Sequence, residues 1–247
     1  MEPAHSESEL SVLSYNIHHA NPPAKPGVID VNAIAAVINR IHPSLVALQE
    51  IDVYTHRSGA NLHEAITIGQ LTGMKVYFGK SIDYDGGSYG VAVLSTFPVA
   101  EFIVHRLPTM EGTNGEPRVL AMARINLPSK GDCWFACTHL DAQKNDTNRI
   151  AQISEILSVF RDEPMPVILA GDLNAVPGSR VIDSLDAYFK RTCPDSCTQY
   201  SIPNLQPNKV IDYIAVKPAD AFRLLSHEVI DEQYASDHLP VLARFRW

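Results

Sequence analysis

The chain has 247 residues, 45% of them hydrophobic and 19% charged, with a formal net charge of −8 and a sequence pI of about 5.6. A core of normal size is within reach, no apolar run approaches the ~18 residues of a membrane span, and the acidic balance argues against an electrostatic grip on long nucleic acid. The opening MEPAHSESEL has neither a basic n-region nor an apolar h-region, so it reads as a flexible N-terminus over 1–9 rather than a secretion signal. A chain trimmed of its signal would look the same, so a soluble protein of the cytoplasm and an exported one both stand.

From residue 10 to 247 the pattern reads as a single domain, without repeats, low-complexity tracts or a linker. Strand-like runs fall in order at 10–17, 44–49, 75–80, 89–95, 118–127, 132–139, 166–170, 209–216 and 239–247. Helical periodicity occupies the intervals. The segment 30–41 has Asp30 as N-cap, 61–73 ends on Gly73 as C-cap, and 146–160 repeats apolar residues at 150, 153, 157 and 160. Some connections are helical crossovers and others are tight turns such as LPSKGD (127–132), which suggests packed sheets with helices outside. Of the four cysteines, Cys133 and Cys137 lie in an apolar stretch and read as buried free thiols. Cys193 and Cys197, in CPDSC, could close a small disulfide in an exported protein; a zinc site is not indicated.

The informative feature is the kind of residue that ends each apolar run. SYNIHH ends a strand with Asn16, LQEID carries Glu50, and THLD carries His139. GDLN adds Asp172 and Asn174, KVIDYI carries Asp212 inside a strand, and SDHLPV places Asp237 and His238 immediately before one. One polar residue at a strand end is unremarkable; a repeated delivery of Asn, Glu, His and Asp to strand ends describes an active-site rim. No Ser or Cys stands in a nucleophile elbow, and Gly86–Gly87 is not followed by the GK[ST] of a phosphate-binding loop. Oxygen donors with only two strong histidine candidates suit a hard cation, Mg²⁺ or alternatively Mn²⁺, with Glu50 as main ligand and Asn16 or Asp237 assisting. A metal, a histidinium and a carboxylate base make a workable site for phosphoester hydrolysis, Asp172 serving as base. Asn174, two residues on in an extended segment, would point to the same side and hold water or phosphate.

In their order, SYNIHH, LQEID, GVAVLSTFPV, THLD, GDLNAVP, IDYI and SDHLPV resemble the endonuclease/exonuclease/phosphatase superfamily with its deoxyribonuclease-I-like fold, across nearly the whole chain. The resemblance implies a four-layered α/β sandwich: two mainly antiparallel sheets face to face, helices outside. It implies a divalent-metal phosphoesterase in which Glu50 is the main metal ligand and Asn16 its neighbour on metal or phosphate. His139 would bind the phosphate or leaving oxygen, Asp172 would orient or deprotonate water with Asn174 beside it, and Asp212 would keep His238 charged. Asp237 would sit on the metal side. The family's GNA is GVA here (Gly90, Val91, Ala92), and VYTHRSG and IDYDGGSYG resemble a bacterial subgroup. Arg57 and Arg118 stand as phosphate or headgroup contacts or as salt bridges, both readings open.

The leading expectation is a metal-dependent phosphodiesterase or phosphatase acting on a small or lipid-linked phosphoester, as a monomer. A DNA or RNA nuclease of the same fold is the alternative, and the sequence gives it no strong nucleic-acid footprint. A catalytically silent binding module would have lost Glu50, Asp172 or His238, and all three are present. Specificity should come from the rim loops 19–29, 53–61, 82–89, 109–117 and 192–208.

Overall fold

Each apolar run becomes a strand. The computed structural model describes residues 8–128, 130–194 and 198–247, so Cys197 and its expected pairing, like most of the N-terminal segment, lie outside the described residues. The strands are β1 (Glu9–Asn16), β2 (Leu45–Val53), β3 (Lys75–Tyr84), β4 (Gly87–Ser95), β5 (Val99–Arg106), β6 (Val119–Leu127), β7 (Gly131–His139), β8 (Val167–Asp172), β9 (Lys190–Arg191), β10 (Asp212–Lys217), β11 (Arg223–Val229) and β12 (Val241–Arg246). The helices are α1 (Val31–Ile41), α2 (Glu64–Thr72), α3 (Thr147–Phe160) and α4 (Arg180–Asp186). No helix among the described residues is long and apolar enough to cross a membrane.

The strands form two six-stranded sheets, ordered β11-β12-β1-β2-β4-β3 and β5-β6-β7-β8-β10-β9. Pairing is antiparallel except for β1 with β2 and β7 with β8. Each parallel pair is joined by a crossover that carries a helix, α1 in the first and α3 in the second. The result is three apolar layers. The central one, with Val12, Ala47, Val93, Ala121, Phe135, Ile168 and Ile214, lies between the sheets; α3 and α4 cover one outer face and α1 and α2 the other. This is the four-layered sandwich the motifs implied. Cys133 and Cys137 are free and buried, also as read from the sequence.

Local signals worked where the chain makes its own contacts. Asp30 accepts from the Ala33 amide as N-cap, and Gly73 closes α2 in the left-handed region at φ 69°. Strands β5 and β11 escape a reading by apolar runs because they are partly exposed edge strands without a long buried stretch. The strand expected over 209–216 begins only at Asp212, which therefore opens β10 rather than lying inside it.

One buried acid is independent of the strand ends. Glu64 opens α2 fully buried, with Oε2 accepting from the Asp52 amide at 2.8 Å and Oε1 unpartnered. Burial, assisted by the Asp52 charge, pushes its pKa up to about 8. Because the folded pKa exceeds the unfolded one, its contribution to stability is complete below about pH 4.5 and is lost as pH rises through about 8. Glu64→Gln is therefore expected to melt several degrees above the parent at pH 8.5 and close to it at pH 5, as read by thermal denaturation.

Candidate active site

Register alone brings three of the eight polar residues together. His139 ends β7 opposite Asp172, which ends β8, and Asp172 in turn faces Asp212, the first residue of β10. Three adjacent strands thus present an imidazole and two carboxylates along one edge. In the other sheet Asn16 ends β1, Glu50 lies on neighbouring β2, and Asp237 and His238 directly precede the last strand. The carboxyl ends of both parallel pairs meet at this edge.

Two backbone features aim these side chains. Between Leu48 and Ile51 the β2–β4 ladder slips, so that Gln49 and Glu50 occupy a bulge, and Glu50 takes φ 61°. A left-handed non-glycine residue at a bulge is strained and re-aims its side chain relative to regular alternation. At Gly171 the chain runs so close to β7 that a Cβ would lie 2.0 Å from the Thr138 carbonyl oxygen, so no other residue fits before Asp172.

Asp172 is the hub. It is 1% exposed, and its Oδ2 lies 3.1 Å from Asn16 Nδ2, 3.5 Å from His139 Nε2 and 3.8 Å from His238 Nε2. Asn16 Nδ2 also donates to Glu50 Oε1 at 3.0 Å, while its Oδ1 accepts from the His18 amide. Asn16, expected as a metal ligand, thus holds two carboxylates with its nitrogen; what it has for a cation is the second lone pair of Oδ1. Asn174 does not continue an extended segment as expected. It sits at φ 47°, its amide capping Asp172 Oδ1 at 2.8 Å and its Nδ2 donating to His139 Nε2 at 3.1 Å and the Leu140 carbonyl at 3.0 Å. It reaches the site through a tight turn rather than by strand alternation.

The two histidines differ in charge. Burial works against a charge on His238, but Asp212, bonded to Nδ1 at 2.9 Å, together with Asp172 and Asp237, outweighs it and raises the pKa to about 10. Burial, then the charges of Arg118 and His238, hold His139 well below the usual imidazole range. His139 is therefore neutral and His238 cationic at pH 7. The Asp172 carboxyl is raised by burial and by Asp212, against the opposing pull of His238.

Asp172, Asp212 and His238 come within 4.8 Å of one another, close enough to suggest a metal group. A protonated imidazole has no lone pair for a metal, and Asp212 Oδ2 is already taken by His238 and by Ser201 Oγ at 2.6 Å. Asp212, hydrogen-bonded to Nδ1, and Asp172, 3.8 Å from Nε2, instead keep His238 charged. Glu50 and the Oδ1 of Asn16, linked through Asn16 Nδ2, are hard oxygen donors of the kind a magnesium-type cation takes.

Both arginines are paired. Arg57 grips the fully buried Asp52 through Nε and Nη2 at 2.7 and 2.9 Å, and Arg118, 5% exposed, lies 3.0 Å from Glu116. Both also remain at the site: Arg57 lines a small cavity with Glu50, and the Arg118 charge is felt by His139. His19 is a residue to which the sequence assigns no role. It lies in a turn, His18–Ala20, whose three φ angles are all positive, and its buried Nδ1 has no partner. The doublet after SYNI is its only sequence signal. A larger cavity of about 680 Å³ beside Asp186, Phe189 and Leu224 includes none of the expected residues.

The chain resembles known proteins in sequence and in fold. A protein of Escherichia coli K12 known as uncharacterized protein YbhP is 29% identical over 174 residues, 67% of this chain and 66% of that protein, so the match spans just under two thirds of the relative. The crystal structure of an endonuclease/exonuclease/phosphatase from Beutenbergia cavernae superposes with a TM-score of 0.79 at 25% identity, covering 96% of this chain and 71% of that one. The mannosyl-6-phosphatase Bt3783 of Bacteroides thetaiotaomicron shares the fold, with a TM-score of 0.75 at 19% identity over 96% and 99% of the two chains. The model of the Endonuclease/Exonuclease/phosphatase family matches residues 13–238, a span that opens inside the first strand and closes on the imidazolium. The chain belongs to that family of phosphoester hydrolases.

Proposed function

We propose that the chain is a divalent-metal-dependent phosphodiesterase or phosphatase in which Asp172 activates water for attack on phosphorus. The observation that carries this reading is the convergence on Asp172 Oδ2 of Asn16, His139 and His238, with Glu50 tied in through Asn16. Glu50, with Asn16 and Asp237, would hold the cation, which when bound supplies positive charge to the phosphoryl oxygens. The raised basicity of Asp172 suits it to take the proton of the attacking water. His238 presents its Nε2–H on the Asp172 side, placed to donate to a phosphoryl oxygen as negative charge accumulates. Asn174 and His139 close the site on the other flank, and Arg118 adds a buried positive charge behind it. As water adds and the bond to the leaving oxygen breaks, Asp172 passes the proton it took to solvent, and the departing oxygen takes a proton back from solvent.

The charge of −8 supports a small or lipid-linked phosphoester over long nucleic acid. Hydrolysis of bis(4-nitrophenyl) phosphate is expected with Mg²⁺ or Mn²⁺, lost with EDTA and restored by excess metal. Glu50→Gln should raise the metal concentration giving half-maximal rate by at least about tenfold. Undiminished turnover in EDTA would sink the metal assignment. No turnover of any phosphoester with any divalent metal would make the chain a silent member of its family.

A further inference from the structure

The bulge that carries Glu50 divides β2 into two phases. Before it the strand alternates regularly: Leu45 and Ala47 face the layer between the sheets, and Val46 and Leu48 face α1 and α2. Beyond it the phase is reversed, since Ile51 and Val53 join the helix side. Glu50 is therefore the inserted residue, and Gln49 is the last residue of the first phase. Pairing with β1 ends at Gln49, whose carbonyl oxygen accepts from the Ile17 amide at 3.1 Å, and pairing with β4 is broken from Leu48 to Ile51. Glu50 thus lies beyond one ladder and inside the gap of the other, so backbone pairing alone does not fix where the phase breaks.

A sulfur atom of the facing sheet meets both residues that precede the insertion. The Gln49 side chain is fully buried and donates from Nε2 to Cys137 Sγ at 3.4 Å. Cys137 Sγ donates in turn to the Leu48 carbonyl oxygen, also at 3.4 Å. Burial pushes the thiol pKa up to about 12, so the sulfur keeps the proton that this second bond needs. One atom of β7 thereby holds the side chain of Gln49 and the backbone of Leu48. The amide brings a penalty with it, because Gln49 Oε1 is buried without a hydrogen bond. An apolar side chain of the same length would fill the space with no orphaned acceptor, so stability does not account for the glutamine.

We infer that Gln49 and Cys137 are positioning residues for Glu50: their tie across the two sheets fixes the residue at which β2 breaks phase, and so keeps Glu50 at the bulge. Were the break to move one residue toward the C-terminus, Glu50 would follow Val46 and Leu48 onto the helix side, away from Asn16 and Asp172. The left-handed backbone at Glu50, φ 61°, persists only while its surroundings over-determine it, and the tie is one of those surroundings. Asn16 Nδ2, 3.0 Å from Glu50 Oε1, holds the carboxylate itself, whereas the tie acts on the backbone that presents it. This assignment rests on the proposed role of Glu50 as the main ligand of the cation.

The test reads metal binding directly, by electron paramagnetic resonance of Mn²⁺ titrated into the protein without substrate. Gln49→Met keeps the length of the side chain and removes the orphaned oxygen. It is expected to melt at or above the temperature of the parent and yet to bind Mn²⁺ at least about fivefold more weakly. A role in stability alone would move the two readouts together. Cys137→Ala should weaken binding to a similar extent, and the double variant should bind no more weakly than the weaker single one, because both substitutions break the same tie. Parental Mn²⁺ affinity in Gln49→Met overturns the assignment, as do losses that add in the double variant. If the parent binds no Mn²⁺, or Glu50→Gln binds it as tightly as the parent, the cation reading falls and the assignment with it. The Glu50→Gln titration therefore tells the two failures apart.

Discussion

Asp172→Asn is expected to lower kcat by roughly three orders of magnitude, the middle of the range for removing a general base. The substitution keeps shape and volume, and the Asn174 amide retains an oxygen to bond in place of Oδ1. What disappears is the basic oxygen on which Asn16, His139 and His238 converge. A melting temperature within a few degrees of the parent, with a collapsed kcat and little change in KM, is the anticipated pattern. Turnover within tenfold of the parent would remove Asp172 from the reaction.

The second large effect concerns the charge on His238. With Asp212 on Nδ1 the imidazole stays protonated to about pH 10. In Asp212→Asn the largest support is gone, while burial still disfavours the charged form and only Asp172 and Asp237 oppose it, so the pKa falls. Since the cation is the useful form, Asp212→Asn should lose activity at a lower pH than the parent, which keeps its charged histidine up to about pH 10. His238→Ala should cost roughly 10²- to 10³-fold in kcat at every pH. The double variant should be no worse than His238→Ala alone, because Asp212 acts through the imidazole. Additive losses, or an unshifted pH profile in Asp212→Asn, would show that Asp212 does something else.

How far the sequence reached can be told from individual residues. His139 and Asp172 were legible because each stands where an apolar run stops; Asp212, expected inside its strand, opens it instead, and strand register makes the three neighbours. Asp30 and Gly73 were legible because a cap is settled within four residues of chain. The charge on His238 was implied by the resemblance, but the neutrality of His139 was not legible: it depends on burial and on the Arg118 and His238 charges met across the fold. The tie between Arg57 and Asp52 spans only five residues, yet nothing in VYTHRSG says that the acid is fully buried or that the guanidinium will lie over Tyr84. The rim loops around 53–61, 82–89 and 109–117 were named as the seat of specificity, and the walls of the small cavity beside Glu50 come from them. Edge strands β5 and β11 fell below detection because exposure dilutes the apolar signal that marks a strand.

The bulge in β2 has a consequence for how such a protein would drift. Without it the ladder from Leu48 to Ile51 would run unbroken against β4, and no residue would carry the left-handed strain that Glu50 bears, of order 1 to 3 kcal/mol. The sheet would gain by deleting that residue or by placing a glycine there, and either change discards the carboxylate assigned to the cation. Selection for thermal robustness alone would therefore erode this position early. A lineage that keeps glutamate at the bulge is one in which turnover is still being selected.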